Sequence, residues 1–270
     1  MAAMMYSLNA STIRPTPILD KIRIAGETGY AAIELWHDEI DAHLTQGGSL
    51  ADLKKALSDH GLAVPTTIYL AGWFDSTGDE HTRAVDQCKR RMAQAVELGA
   101  PFIIAGPPAG QADVEIGALH YRELLEIGSA MGVKPAMEFL GFVEQLNTIE
   151  AARDVMEKSG HPDATTVLDP FHIFRGGGSV ESIAKLTAAQ IAVSHFNDVV
   201  ADPPREQQHD RDRVMPGDGV FDLKRYVELL SQVGYDRFLS LELFREDLWA
   251  QDPREVARMG IEKMKAVVEG

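Results

Sequence analysis

Short apolar runs alternate with amphipathic stretches along the whole of this 270-residue chain. Each run has the length and the β-branched or aromatic content of a strand, whereas the stretches between them repeat apolar residues at about the 3.6-residue spacing of a helix. Such alternation predicts parallel strands joined by helices. The predicted strands are MMYSLNA from Met4, AAIELW from Ala31, VPTTIYL from Val64, PFIIAG from Pro101, PAMEF from Pro135, TTVLD from Thr165, IAVSHF from Ile191 and FLSLELF from Phe238.

Glycine stands at several joints between a predicted helix and the next strand, as in AGETGY, SDHGLAV, VELGAP, SAMGVKP and SQVGYDRF. A glycine that ends a helix adopts the left-handed conformation that other residues enter only at a steric cost. The chain averages about 34 residues per strand-helix unit, which is typical of a (β/α)8 barrel. Because no glycine-rich dinucleotide-binding turn follows the first strand, the pattern favours this TIM barrel, of class α/β, over an open doubly wound sheet. We expect one domain over residues 1–270.

Composition and charge mainly exclude certain classes of protein and partner. No run approaches the roughly 18 apolar residues that a membrane span needs, and 26 Lys and Arg against 41 Asp and Glu give a net charge of −15. This charge would repel a phosphate backbone, so we expect no nucleic acid partner. The N-terminal sequence lacks the basic and apolar regions of a signal peptide, and a single cysteine, Cys88, cannot form an intrachain disulfide. A cytoplasmic location is expected, with Cys88 as an inert packing residue.

Four consecutive predicted strands end in side chains that can bind metal. Glu138 lies at the end of the fifth strand and Asp169 at the end of the sixth. His195 and Glu242 follow at the seventh and eighth. In a barrel these ends meet where the active site lies, and four buried polar groups there need a shared partner. Three carboxylates and one imidazole suit one divalent metal ion: we favour Mn²⁺, with Mg²⁺, Co²⁺ and Zn²⁺ as alternatives.

The segments MEFLGFVEQ, LDPFHIFRGGG, SHFNDV, RVMPGDGVFDL and LSLELF resemble the xylose-isomerase-like TIM-barrel superfamily of sugar isomerases and epimerases. This superfamily includes inosose isomerases and ketose 3-epimerases, and the resemblance begins at SLNAST and spans nearly the whole chain. It implies that the four ligands named above hold one metal ion. It also implies that Glu138 and Glu242 move protons at a carbon next to a carbonyl, through an enediolate that the metal stabilises.

The resemblance implies two further residues on the loops after the fifth and sixth strands. His172, three residues after Asp169, corresponds to a catalytic histidine that contacts substrate oxygens or the outer shell of the metal; the alternative is a loop histidine bonded to the backbone. Glu144, six residues after Glu138, has the spacing of a substrate-binding glutamate. A glutamate near a helix start would also suit the helix dipole.

The interval between the third and fourth predicted ligands is longer than the preceding ones, which predicts an inserted loop that forms a wall or lid. In this loop Arg213 resembles an epimerase arginine that reaches a substrate hydroxyl, although it could pair with Asp210 or Asp212 instead. Asp198, three residues after the histidine ligand, is a further candidate that could orient that ligand.

The end of the second predicted strand supplies two more candidates for substrate binding. Glu34 in IELW corresponds to a position that often faces the barrel mouth in the resembling family, and Trp36 lies two residues further on. Both could shape the pocket. Packing within the barrel layers is the alternative for Trp36.

The leading hypothesis is a metal-dependent isomerase or epimerase of a small sugar or cyclitol: a ketose, an inosose or a keto-cyclitol. A dehydratase that uses the same metal and expels a β-hydroxyl, as the resembling inosose and dehydroshikimate dehydratases do, is the alternative. A DNA-repair endonuclease on this barrel would need histidines and carboxylates that TTIYL and FIIAG do not offer. The intact ligand set argues against a barrel that has lost its chemistry. Dimers and tetramers are common among the resembling enzymes, so a homo-oligomer is compatible with the resemblance.

Overall fold

The computed structural model describes residues 4–270, and eight parallel strands close into a barrel. These strands are β1 (Met5–Asn9), β2 (Ala32–Trp36), β3 (Thr66–Leu70), β4 (Phe102–Ala105), β5 (Lys134–Met137), β6 (Thr165–Leu168), β7 (Ile191–Phe196) and β10 (Phe238–Leu241). Their order around the barrel is β1-β10-β7-β6-β5-β4-β3-β2, and β1 pairs with both β10 and β2. The predicted barrel is confirmed. Residues 1–3 of the predicted domain lie outside the described part.

Ten helices follow the strands within residues 4–270, and none is both long and apolar enough to cross a bilayer. They are α1 (Ile18–Glu27), α2 (His37–Thr45), α3 (Leu50–Asp59), α4 (Gly78–Glu97), α5 (Val114–Met131), α6 (Ile149–Ser159), α7 (Pro170–Arg175), α8 (Leu223–Gln232), α9 (Glu246–Trp249) and α10 (Pro253–Glu269). The predicted joint glycines have positive φ angles between 63° and 94°, as the turn into each strand requires: Gly29, Gly61, Gly99, Gly132 and Gly234.

The side chains of the barrel strands point alternately to its two faces, and their apolar residues form two separate clusters. On β4, Ile103 and Ala105 belong to the large core that the strands share with the helices, whereas Phe102 and Ile104 belong to a small cluster of strand residues. Successive side chains on a strand point to opposite faces, so the small cluster fills the inside of the barrel. Its members are Ile68, Phe102, Ile104, Ala136, Val167, Ala192 and Val193.

The inserted segment after β7 is folded rather than irregular. Strands β8 (Asp198–Val199) and β9 (Arg213–Val214) form a two-stranded antiparallel sheet in which Val199 is paired with Arg213. The predicted long loop is therefore a wall with its own hydrogen-bonded frame, and this frame fixes the position of Arg213.

One buried hydroxyl ties the outer helix layer to the barrel, and we predict a measurable cost for its loss. Tyr121 on α5 accepts a hydrogen bond from the Thr165 N–H at 3.1 Å, and its hydroxyl lies 2.8 Å from the Thr165 carbonyl oxygen and 3.0 Å from that of Pro135. Tyr121→Phe keeps the ring but leaves these groups short of a partner. Urea unfolding should show a free energy of unfolding lower by about 1–3 kcal/mol.

The control for this prediction is Tyr6→Phe, which removes a hydroxyl that donates to Glu269 at the surface. Its unfolding free energy should change by no more than about 0.5 kcal/mol. Equal effects of the two substitutions would contradict the role given to Tyr121.

Candidate metal centre

Four side chains meet at the carboxyl end of the barrel. Glu138 follows β5 and Asp169 follows β6. His195 lies in β7, and Glu242 follows β10. Parallel strands bring their carboxyl ends to one rim, so these side chains converge although they are distant in sequence. The Nδ1 atom of His195 lies 3.0 Å from an oxygen of Glu242, and oxygens of Asp169 and Glu138 lie 3.5 Å and 3.6 Å from the same nitrogen.

Polar atoms in this cluster lack hydrogen-bond partners. Oδ2 of Asp169 and both ring nitrogens of His195 are buried without one, an arrangement that costs free energy unless another group binds them. One oxygen each of Asp169 and Glu242 and a nitrogen of His195 lie within 4.8 Å of one another. Asp169 and Glu242 share the guanidinium of Arg213 with Asp210, so carboxylates outnumber this cation. A divalent cation fits both the donor atoms and the charge.

Burial and charge shift the protonation of the cluster in opposite senses. Burial raises the pKa of Glu138 to about 8, and the carboxylates of Glu242 and Asp169 add to the effect. Burial acts in the same sense on Asp169 and Glu242, but cationic neighbours, Arg213 and His195 among them, outweigh it and hold the pKa of both carboxyls below the usual range. Burial favours neutral His195, yet nearby carboxylates raise the pKa of its imidazole well above the usual value.

Arg213 is buried in the wall of the site, where β9 presents it. Its guanidinium is hydrogen-bonded to Glu242 and lies 3.2 Å from a carboxylate oxygen of Asp169. It also pairs with Asp210 at 2.9 Å, so the ion pair considered from the sequence is present. Arg213 contacts Glu242 and Asp169 as well as Asp210, so the pairing with Asp210 does not remove it from the site.

His172 lies on α7, the short helix that Asp169 caps. One oxygen of Asp169 accepts from the Phe171 N–H at 2.7 Å, which explains why an aspartate, a turn of helix and a histidine follow one another in the sequence. Nδ1 of His172 accepts from the Gly141 N–H at 3.1 Å, and its Nε2 lies 3.0 Å from a nitrogen of Arg213. Burial, with the nearby guanidinium, lowers the pKa of His172 to about 3.

Glu34 lies beneath the cluster rather than in the cavity, which corrects the prediction of a substrate contact. Its carboxylate is completely buried, accepts from the Thr66 hydroxyl and from the Asn9 amide, and lies 3.4 Å from Nε2 of His195. It therefore holds the imidazole. Trp36 does line the cavity, and its indole N–H donates to the Asn9 carbonyl oxygen at 2.9 Å.

Two other predicted substrate contacts lie away from the cavity. Glu144 is exposed and accepts from Gln111, because the loop after β5 carries it outward well before α6 begins. Asp198 is buried, but its carboxylate accepts the backbone N–H groups of Gly217 and Gly219 at 3.0 Å and 3.1 Å. Asp198 thus holds the inserted segment in place and does not face a ligand.

Two asparagines of the site were missed by the sequence analysis. Asn9 ends β1 and donates to Glu242 at 3.0 Å and to Glu34 at 3.2 Å. Asn197 follows β7 directly and donates to Asp169 at 3.0 Å. Each is a polar residue at the end of a barrel strand, and this position is the signal that could have identified it.

A cavity of about 380 Å³ opens above the cluster, a size that suits a small ligand. Its polar side contains Glu138, His172, Asp210, Arg213 and Glu242. The rest of its lining is largely apolar and aromatic, with Trp36, Ile68, Tyr69, Pro107, Leu140, Phe142 and Phe244.

A closed barrel with carboxylates and an imidazole at its carboxyl end defines a candidate metal-binding TIM-barrel protein. The chain belongs to the xylose isomerase-like TIM barrel family, whose sequence profile matches residues 22–267. An inosose isomerase from Bacillus velezensis is 27% identical over 268 residues, which cover 96% of this chain and 95% of that protein. A 3-dehydroshikimate dehydratase from Pseudomonas aeruginosa is 24% identical over 257 residues, or 91% of this chain and 39% of that protein.

Solved structures show the same architecture. A crystal structure of IOLI protein with a binding zinc atom has a TM-score of 0.91 and 25% identity, and the match covers 98% of both chains. The structure of an L-ribulose 3-epimerase shares the fold, with a TM-score of 0.76 and 18% identity over 98% of this chain. These findings confirm the predicted fold and family. The named relatives also agree with the prediction of an enzyme of the sugar isomerase and epimerase kind.

We predict that Glu34 supports metal binding through His195. Glu34→Gln removes the negative charge next to the imidazole, and the loss of such a supporting carboxylate typically weakens metal affinity about 10- to 100-fold. Competition between the protein and a chromophoric chelator for Zn²⁺ measures this change. Glu80→Gln, on the exposed surface of α4, is the control and should keep the wild-type affinity. Wild-type affinity in the Glu34 variant would contradict the assignment.

Proposed function

We propose that this chain is a divalent-metal-dependent isomerase or epimerase of a small polyhydroxylated ketone, such as a ketose, an inosose or a keto-cyclitol. The observation that carries the proposal is the convergence of Glu138, Asp169 and Glu242 on one nitrogen of His195, all within 3.6 Å. Membership of the family and the inosose isomerases among the relatives support it.

The proposed ligands of the metal are Glu138, Asp169, His195 and Glu242. A divalent cation bound there would polarise the substrate carbonyl and stabilise the negative charge that develops when the neighbouring carbon loses a proton. Carboxylate and imidazole donors suit both Mn²⁺, which we favour from the sequence, and Zn²⁺, which the IOLI structure contains. We propose one of these two as the resident ion.

The two glutamates of the set have environments that suit opposite roles in proton transfer. Arg213 and His195 hold Glu242 in its ionised form, and Asn9 fixes its orientation, so Glu242 is suited to remove a proton. Burial raises the pKa of Glu138 to about 8, so Glu138 is suited to return one. Two carboxyls whose pKa values are pushed apart form an acid and base pair. The imidazole of His172 lies beside them, with its Nε2 3.0 Å from a nitrogen of Arg213.

A dehydratase is the second candidate, which the relationship to the 3-dehydroshikimate dehydratase favours. Its first step, removal of a proton next to the carbonyl, would use the same residues. The two reactions diverge at the second step, since a dehydratase expels a β-hydroxyl and an isomerase returns the proton to carbon.

A cytoplasmic location and assembly as a homo-oligomer stay predictions.

Cys88 is buried on α4, where burial raises the pKa of its thiol to about 12. This environment supports the packing role expected from the sequence, because a reactive thiol needs exposure and a lowered pKa.

We expect Glu138→Gln and Glu242→Gln each to lower turnover by about 100- to 10,000-fold, the usual contribution of a general acid or base. The assay incubates metal-loaded protein with scyllo-inosose, with ketoses or with 3-dehydroshikimate in deuterated water and monitors the products by mass spectrometry. Deuterium uptake without loss of water indicates an isomerase or epimerase, and loss of water indicates a dehydratase. Glu80→Gln should retain wild-type turnover. Full activity in either site variant would refute the proton-transfer roles.

We also expect chelation to abolish this activity. Metal analysis of the purified protein should find about one divalent ion per chain, as a single donor cluster of this kind would hold. Dialysis against EDTA should remove both ion and turnover, and stoichiometric Mn²⁺ or Zn²⁺ should restore them. Activity that survives complete removal of the ion would exclude a metal-dependent reaction.

A further inference from the structure

The polar side of the cavity carries an excess of negative charge. Within residues 4–270, Arg213 is the one cationic side chain other than histidine that lines the cavity. Three carboxylates contact this guanidinium and five lie in or beneath the cavity, so carboxyl groups outnumber the cationic side chains there. The five are Glu34, Glu138, Asp169, Asp210 and Glu242.

The side chain of Arg213 is buried, carboxylates contact both of its terminal nitrogens, and its Nε has no hydrogen-bond partner among the described residues. Its guanidinium contacts carboxylates of Asp169, Asp210 and Glu242, and lies 4.8 Å and 5.1 Å from the rings of Phe171 and Phe244.

The three carboxylates that contact Arg213 differ in exposure. Asp169 and Glu242 are buried with the metal cluster, whereas 39% of the Asp210 side chain is exposed. Asp210 is therefore the partner that covers the outer side of Arg213, and it enters from the inserted segment between β8 and β9.

The rest of the cavity offers no cation to a ligand. Tyr69 and Phe142 line it and are 40% and 37% exposed, and Trp36 and Phe244, which also line it, are in edge-to-face contact with each other. Aromatic rings of this kind pack against the C–H surface of a ligand. A carboxylate at the far end of a hydroxyketone would therefore lie between apolar rings and the negative charge of Asp210.

We infer that the site selects uncharged hydroxyketones, and that Asp210 determines this selectivity by neutralising the outer side of Arg213 and repelling a ligand carboxylate. This inference rests on the proposed function and deepens it. An inosose is uncharged, whereas 3-dehydroshikimate carries a carboxylate, so the selectivity favours isomerisation of a neutral ketone over the dehydratase reaction.

Two ligands that differ only in this charge provide the test: 3-dehydroshikimate and its carboxamide, titrated calorimetrically into the metal-loaded protein. The wild-type protein should bind the carboxamide at least about 10-fold more tightly, since like charges brought together in a binding site are strongly unfavourable. Asp210→Asn keeps the shape of the side chain but removes its charge, so the outer side of the guanidinium is no longer neutralised. It should reduce the ratio of the two dissociation constants by about 10-fold or more.

Asp212→Asn is the matched control, because Asp212 is a partly exposed aspartate two residues further along the same segment that does not line the cavity, and its carboxylate accepts from the His209 N–H at 2.8 Å. It should keep the wild-type ratio. Equal or tighter binding of the carboxylate by the wild-type protein, an unchanged ratio in Asp210→Asn, or failure of the carboxamide to bind would overturn the inference. Since binding is the readout, absence of proton exchange with every ketone would refute the proposed function separately and would leave this comparison valid.

Discussion

Burial of several carboxylates within a few ångströms of one another is the constraint on which this structure depends. Each carboxylate loses its hydration and is repelled by its neighbours, so the fold must supply positive charge at the same point. His195 and Arg213 supply it from β7 and β9, and a divalent ion would complete the balance. A closed parallel barrel meets this constraint because it brings the ends of all its strands to one rim.

Groups around the cluster keep its members in place. Asn9 and Asn197 each donate an amide N–H to a carboxylate of the set, and Glu34 lies behind the imidazole. Asp198 has a different task, since its carboxylate binds backbone N–H groups and holds the segment that carries Arg213. Groups of this supporting kind fix the orientation of metal ligands and are as necessary to a site as the ligands themselves.

The relatives match nearly the whole barrel of this chain, yet their names include isomerases and dehydratases. A fold alone does not decide between such outcomes, because activity is set by the residues grafted on it. In this chain the residue to which we assign selectivity, Asp210, lies on the inserted segment at the carboxyl end of the barrel, where it lines the cavity together with aromatic residues. Loops can vary there without disturbing the barrel.

The sequence by itself determined the strands, their closure into a barrel and the four residues that meet at its rim. Apolar periodicity is local, and a polar residue at the end of a buried strand such as Asp169 or His195 is visible without coordinates. Only the tertiary structure decided how deeply each acidic side chain is buried and which way it points. Glu34 points below the site, Glu144 points to solvent and Asp198 points into its own loop. These outcomes depend on how layers stack and loops fold back, which are long-range contacts that no short stretch of sequence encodes.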